Sequence, residues 1–263
     1  MTDFLYKYRG VENGENIASD YSIKSLLSCE AKFSTRHDFN DLFDSKINIV
    51  KPTPKQVKGF RNKLPSSQRK EISRLTYKGD FTPEGEYIVS MMTDNFKKVI
   101  DSYYFYCLSA VPNSNLMWSY YADSHKGFCI EFNRKYIEAD SVSYKDDIPN
   151  ISIDDLMSIY YKTEGYERVG EHIWNCLRIK LKEWQHEKEY RLNASKIMEN
   201  SVASKGINYK VFKYPSKFVS SVIFGCKTQN HVKEYIIKNY PHNIEYKQAV
   251  ERRNKIEIIS YAG

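Results

Sequence analysis

The chain has 263 residues, of which 41% are hydrophobic, and a formal net charge of +7. This length and composition predict a globular fold with its own core and exclude an intrinsically disordered chain. No segment approaches the roughly 18 apolar residues of a membrane span, and the N-terminal residues lack the pattern of a secretion signal, so we expect a cytoplasmic protein without a membrane partner. Five widely separated cysteines without a Cys-x-x-Cys pair argue against a metal centre.

The first forty residues predict a strand, a helix and a second strand. Alternation from Leu5 to Arg9 indicates a strand that ends at Gly10. Asp20 is the expected N-cap of a short helix, and residues 31–34 form the second strand. A polar loop rich in His, Asp and Asn follows at residues 36–44.

A basic helical insertion is predicted at about residues 46–101. From Lys46 to Lys78 there are ten Lys or Arg residues and one acid, Glu71, so this segment contributes +9. Such a patch suits phosphate neutralisation, and its candidate nucleic-acid contacts are Lys55, Lys58, Arg61 and Lys63. The other interpretation is a solvated helical surface that binds nothing specific.

The remainder of the chain mixes strands and helices without regular βαβ alternation. Strands are expected at residues 104–110, 127–132, 187–191, 209–212, 219–224 and 257–260. Helices are expected after Asn113 or Ser114, over residues 151–183, and near residues 231–239. This order predicts an α+β fold with a largely antiparallel sheet, as a single domain over residues 1–263.

The segment from Trp184 to Arg191 is the strongest candidate site. On a strand, Glu187, Glu189 and Arg191 would project from one face. Neighbouring carboxylates raise each other's pKa, and an arginine lowers it. Such a site suits an oxocarbenium-like transition state at a sugar anomeric carbon. An edge-strand ladder of salt bridges is the alternative.

Several segments together resemble the bacterial domain-of-unknown-function family 2971. The resemblance covers most of the chain. The segments that carry it are residues 5–9, Phe33-Ser34, residues 39–44, residues 116–123, residues 125–132, Trp184 and residues 187–191.

The family pattern is itself similar to that of ADP-ribosyltransferases, which implies a sheet core of that type. On this resemblance, Tyr8 or Arg9 would hold the ribose and phosphates of NAD, and Ser34 or Tyr121 would support the nicotinamide pocket. Glu189 would stabilise the oxocarbenium, and Glu187 would orient the acceptor.

The same resemblance gives a catalytic set and a cofactor-binding set. The predicted catalytic residues are Glu189, Glu187 and Tyr121. The predicted NAD-binding residues are Tyr8, Arg9, Ser34, Asn40, His125 and Arg191.

Two functional hypotheses follow from the sequence. The first is an NAD-dependent ADP-ribosyltransferase-like enzyme, a toxin or phage-defence effector, whose acceptor is nucleic acid bound by the basic insertion. The second is a nonenzymatic nucleic-acid-binding or regulatory module in which the same motifs only maintain the fold. A nuclease or glycosidase that uses the paired glutamates is a further alternative.

Overall fold

The structure is a computed structural model and describes residues 2–12, 16–163, 166–194 and 202–262. The helices are α1 (Tyr21–Leu27), α2 (Pro54–Phe60), α3 (Ser66–Arg74), α4 (Pro83–Asp101), α5 (Asn115–Tyr121), α6 (Ile153–Tyr161), α7 (Tyr166–Leu177) and α8 (Asn230–Asn239). Within the described residues, no helix has the length and apolar character needed to cross a bilayer.

The strands of the described residues are short. They are β1 (Phe4–Arg9), β2 (Glu30–Ser34), β3 (Asn48–Ile49), β4 (Thr76–Tyr77), β5 (Asp80–Phe81), β6 (Phe105–Ser109), β7 (Phe128–Asn133), β8 (Asp140–Ser141), β9 (Ser143–Lys145), β10 (Asn150–Ile151), β11 (Ile179–Leu181), β12 (Glu189–Asn193), β13 (Val202–Lys205), β14 (Tyr209–Lys213), β15 (Val219–Phe224), β16 (Glu245–Arg252) and β17 (Lys255–Ser260).

The chain forms two compact units. Unit 1 contains residues 1–38, 104–142 and 183–263, and unit 2 contains residues 39–103 and 143–182. The predicted single domain with an insertion stays a prediction. The segment predicted as the insertion lies in unit 2 and contains α2, α3, α4 and the β4–β5 hairpin.

The described strands of unit 1 form an eleven-stranded, mostly antiparallel sheet. Its main path runs β13-β14-β2-β6-β1-β7-β15-β16-β17, with β12 beside β6 and β8 beside β12. The pairing of β15 with β16 is parallel, and the other pairings in this sheet are antiparallel. The α+β class and the largely antiparallel sheet are therefore confirmed.

Strand β6 lies where the sheet forks. Along one edge it pairs continuously with β12. On its other edge, Ser109 pairs with Tyr6 of β1, whereas Phe105 pairs with Ser34 of β2. Strands β1 and β2 thus diverge along the same edge of β6, and no other strand of the described residues pairs with the middle of that edge.

Alternation along the strands separates the two faces of this sheet. We call one the carboxylate face, defined by Tyr8, Glu131, Glu189 and Arg191, and the other the cation face, defined by Lys7, Arg9 and Tyr106. The buried apolar residues of α1 and α8 cover the cation face, and those of α5 cover the carboxylate face.

Unit 2 is mainly helical. The side chain of Thr53 accepts a hydrogen bond from the Gln56 N–H and completes a capping box at the start of α2. Prolines mark helix boundaries in this unit, because Pro65 precedes α3 and Pro83 is the first residue of α4. A buried ion pair joins Lys180 Nζ to Asp44 Oδ2 at 3.2 Å.

Local predictions were confirmed where short-range chemistry decides the structure. Asp20 Oδ1 accepts from the Ile23 N–H at 2.9 Å and caps α1. Ser114 caps α5. The predicted helix over residues 151–183 was wrong at its end, because Ile179–Leu181 forms a strand that pairs in parallel with Ser143–Lys145. Helical spacing within one segment cannot reveal a partner strand more than 30 residues away.

Candidate functional site

Glu189 and Arg191 form a buried ion pair on β12. The guanidinium donates from Nε to Glu189 Oε1 at 2.7 Å and from Nη2 to Oε2 at 3.1 Å. Both side chains lie on the carboxylate face, and their exposed fractions are 5% for Glu189 and 0% for Arg191. This two-point contact orients the carboxylate and compensates its charge.

Glu187 lies outside the strand, which corrects the predicted alternation. It ends a 3-10 segment at Lys182–Glu187, and Lys188, with φ of +43°, precedes the start of β12. A left-handed residue interrupts strand geometry, so the i, i+2 rule does not set the direction of Glu187. The Ser109 hydroxyl instead holds this residue by donating to its backbone carbonyl oxygen at 2.7 Å.

Helix α5 brings Tyr121 to Glu187. The helix is anchored by Trp118, which is fully buried and whose Nε1 donates to the Pro112 carbonyl oxygen at 2.8 Å. Tyr121 is the last residue of the helix, and its hydroxyl donates to Glu187 Oε1 at 2.5 Å. Two predicted catalytic residues are therefore in direct contact.

The two carboxylates have different partners. The Tyr121 hydroxyl donates to Glu187, and the Arg191 guanidinium donates to Glu189. Pairs of acidic groups in unlike surroundings are typical of sites in which each group has its own chemical role. The sequence motif alone could not separate the two residues in this way.

Tyr8 shares the carboxylate face, but its polar atom is engaged. Its hydroxyl donates to the Val111 carbonyl oxygen at 2.7 Å, and its ring meets Trp118 edge to face at 5.0 Å. Burial raises the pKa of Tyr8 well above its ordinary value, so the phenol is neutral. Strand register also places Ser34 on this face, opposite Phe105.

Arg9 projects from the opposite face of the sheet. Successive residues of β1 alternate, and Arg9 lies with Lys7 on the cation face, where its Cζ is 6.0 Å from the centre of the Tyr106 ring. Tyr8 and Arg9, which sequence analysis offered as equivalent NAD contacts, therefore lie on different sides of the sheet. Only Tyr8 shares a face with Glu189.

His125 lies in a strained turn after α5. Asp123, Ser124 and His125 have φ of +44°, +52° and +73°. Non-glycine residues pay roughly 1–2 kcal/mol each in this region, and such residues are enriched at functional sites. His125 Nε2 is 3.0 Å from Ser119 Oγ, and burial followed by the charge of Lys227 lowers the pKa of His125. Both effects disfavour the charged imidazolium form of His125.

The turn at His125 needs the glycine that follows it. A Cβ on Gly127 would lie 2.0 Å from the carbonyl oxygen of Arg9. The Gly127 N–H closes the turn by donating to the Ala122 carbonyl oxygen at 2.9 Å. The glycine therefore allows the turn that contains His125 to approach the end of β1.

The other predicted site residues belong to unit 2. Asn40 is exposed there. The candidate nucleic-acid contacts are also exposed, and so are all ten Lys and Arg residues between positions 46 and 78. The predicted contacts are Lys55, Lys58, Arg61 and Lys63.

Sequence analysis missed one residue that holds the site and one on the opposite face of the sheet. Ser109 fixes the backbone of Glu187, but its role depends on a contact with a residue 78 positions away. Lys7 accompanies Arg9 on the cation face. The spacing of Lys7 and Arg9 in a predicted strand was the available signal for this pair.

Residues 117–192 match a family model. It is the model of a protein of unknown function, DUF2971. The match confirms the family resemblance over this segment, which contains Tyr121, Glu187, Glu189 and Arg191. Neither the curated proteins nor the solved structures include a significant match to the chain. Among the described residues, the His, Cys, Asp and Glu side chains form no group suited to holding a metal ion.

Proposed function

We propose that this protein is an ADP-ribosyltransferase-like enzyme that transfers ADP-ribose from NAD to a macromolecular acceptor, as a toxin or phage-defence effector. A sheet core of the ADP-ribosyltransferase type is part of the same proposal. The observation that supports it most is the Tyr121–Glu187 contact beside the Glu189–Arg191 pair on one sheet face. An acidic group in a water-poor setting stabilises a developing ribosyl cation.

The proposed reacting carboxylate is Glu187, which accepts from Tyr121, in place of Glu189, to which the resemblance assigned this role. Both oxygens of Glu189 accept from Arg191, so its charge is already compensated. In the proposed step, the bond between the anomeric carbon and the nicotinamide nitrogen breaks, and its electron pair leaves with neutral nicotinamide. The acceptor oxygen or nitrogen bonds to the anomeric carbon, and the acceptor proton passes to Glu187.

The carboxylate face is less well matched to the pyrophosphate of NAD than to its ribose. On the carboxylate face, the predicted cation Arg191 is paired with Glu189, and Arg9 projects from the other face. The carboxylate face therefore favours recognition of the ribosyl centre over recognition of the phosphates. Nicotinamide riboside, which lacks the pyrophosphate, tests this distinction.

The decisive experiment measures nicotinamide release and label transfer. Purified protein is incubated with labelled NAD, or with nicotinamide riboside, and with cellular RNA, DNA or protein. Glu187→Gln should lower the rate by at least about 100-fold, because it removes the negative charge that stabilises the oxocarbenium. The proposal fails if wild-type protein neither binds NAD nor releases nicotinamide with any acceptor.

Two variants serve as controls for the reacting group. Tyr121→Phe keeps the carboxylate and removes its phenol partner, so the rate should fall less than in Glu187→Gln. Glu257→Gln changes a partly exposed carboxylate on the last strand and should behave as wild type. Equal losses in all three variants would indicate general destabilisation.

A second candidate function is nucleic-acid binding by unit 2. It is favoured by the exposure of all ten basic side chains from Lys46 to Lys78, a segment with a single acidic residue, Glu71. Binding should weaken steeply as salt rises, because phosphate contacts release counterions. Neutralising Lys55, Lys58, Arg61 and Lys63 together should reduce both the affinity and the salt slope, and Glu187→Gln should change neither.

A further inference from the structure

We propose that the cation face of unit 1 carries an oxyanion site, formed by Lys7 and Arg9 at the fork of the sheet, that takes a phosphate group. This site is distinct from the carboxylate face and does not rest on the proposed transferase function. Its ligand class is a phosphate dianion, either free or as part of a nucleotide.

The two cations are neighbours on one strand face. Residues i and i+2 of a strand are about 6–7 Å apart, so both side chains can reach a single tetrahedral oxyanion. Lys7 Nζ lies 4.8 Å from the centre of the Tyr106 ring, and Arg9 Cζ lies 6.0 Å from it. One ring thus brings the ammonium and the guanidinium together.

Among the described residues, neither cation is matched by a carboxylate on its own face. Within the described residues, Lys7 Nζ donates to the Cys107 carbonyl oxygen at 2.8 Å, at the middle of β6 where the sheet forks, and this leaves further ammonium protons. Ion pairs of the described residues involve neither Lys7 nor Arg9. The carboxylate of Glu189 influences Lys7 only weakly, from the other face.

The surroundings of the pair add to this positive character. Burial and the neighbouring Arg9 lower the pKa of Lys7 to about 8, as expected for two like charges in a partly buried place. Tyr214 lies close enough to Arg9 and Tyr106 for both to affect the pKa of its hydroxyl. This hydroxyl is buried without a hydrogen-bond partner among the described residues. A buried hydroxyl of this kind is available to an incoming oxyanion.

Both cations are partly exposed. Tyr21, which lies close enough to Tyr106 to raise the pKa of that residue, is 49% exposed. The exposed ring would also suit the base of a nucleotide, because bases stack on aromatic side chains.

Calorimetric titration of the full chain with inorganic phosphate, pyrophosphate and ADP tests the site. Wild-type protein should bind at least one of the three saturably, and Arg9→Gln should weaken that binding roughly 10- to 100-fold, as expected for charge-assisted hydrogen bonds. Lys213→Gln, which changes an exposed lysine of the same sheet, should bind as wild type. Tighter binding of ADP than of pyrophosphate would identify a nucleotide as the source of the phosphate.

Proton uptake separates a site from nonspecific attraction. At pH 8.5 a bound anion should restore the charge of Lys7, so binding should take up protons, as measured in two buffers of different ionisation enthalpy. The proposal is overturned if wild-type protein binds none of the three ligands, if Arg9→Gln binds as tightly as wild type, or if no proton uptake accompanies binding. Glu187→Gln should bind phosphate normally, whether or not it abolishes transferase activity.

Discussion

The two faces of the unit 1 sheet differ in how their charged side chains are partnered. On the carboxylate face, Glu189 meets Arg191, and Glu131 accepts from Ser221 at 3.0 Å and from Lys247 at 2.9 Å. On the cation face, Lys7 and Arg9 meet a carbonyl group and a ring but no carboxylate among the described residues. Buried charges that are paired stabilise a fold or prepare a reaction, whereas cations left without a counter-ion point to a ligand.

The largest effect should come from breaking a pair on the carboxylate face. Arg191→Met leaves Glu189 buried without this partner, and removal of one partner of a buried pair typically costs about 3–5 kcal/mol. Chemical denaturation should show this loss of unfolding free energy. The double variant Arg191→Met with Glu189→Gln should recover part of it, and a loss that is fully additive would argue against coupling between the two residues.

On the cation face, we expect the free energy of unfolding to depend on pH through Lys7. Because the pKa of Lys7 in the fold, about 8, lies below that of an unfolded lysine, the unfolded chain binds more protons between about pH 8 and 10.5. Wild-type stability should therefore rise relative to Lys7→Met across that window, by about 1–3 kcal/mol. A parallel pH profile for the two proteins would contradict the assignment, and Lys213→Met should show no such change.

An effect of similar size is expected at the junction of α5 with Glu187. Tyr121→Phe removes the hydroxyl that donates to the buried carboxylate, which should cost about 1–3 kcal/mol of unfolding free energy. The matched change Tyr120→Phe affects an exposed neighbour on the same helix and should cost almost nothing. Similar losses in both variants would indicate that the Tyr121–Glu187 contact is energetically unimportant.

The smallest effect on stability should come from the basic surface of unit 2. Lys55, Lys58, Arg61 and Lys63 are exposed, and exposed substitutions usually change stability by less than about 0.5 kcal/mol each. Thermal unfolding of the four-fold Gln variant should therefore resemble that of wild type. A marked loss would mean that these charges stabilise unit 2, and it would weaken the case for a binding surface.

Sequence reasoning succeeded where local chemistry decides the outcome. The Asp20 cap, the Ser114 cap and the strand at residues 4–9 follow from side-chain bonds and alternation within a few residues. The family motif also brought Tyr121 and Glu187 into one candidate set, and they are in contact. These features require no knowledge of distant partners.

The remaining features depend on long-range pairing or on a single dihedral angle. The fork at β6 requires two strands from different parts of the chain to meet one edge, which no local pattern encodes. The positive φ of Lys188 removes Glu187 from the predicted strand, although lysine carries no signal for that conformation. The separation of Tyr8 from Arg9 was implicit in alternation, but it became meaningful only when the rest of each face was known.

The order of strands in the sheet also determines when each strand can pair during synthesis of the chain. Strand β2 ends at Ser34, and its partner β14 begins at Tyr209. At typical elongation rates of about 5–20 residues per second, roughly 10–35 s pass between the synthesis of β2 and that of β14. The edge of β2 that pairs with β14 stays unpaired during this time. Throughout this interval an unpaired strand edge is exposed to other nascent chains, so chaperone demand should be greatest before residue 213 emerges.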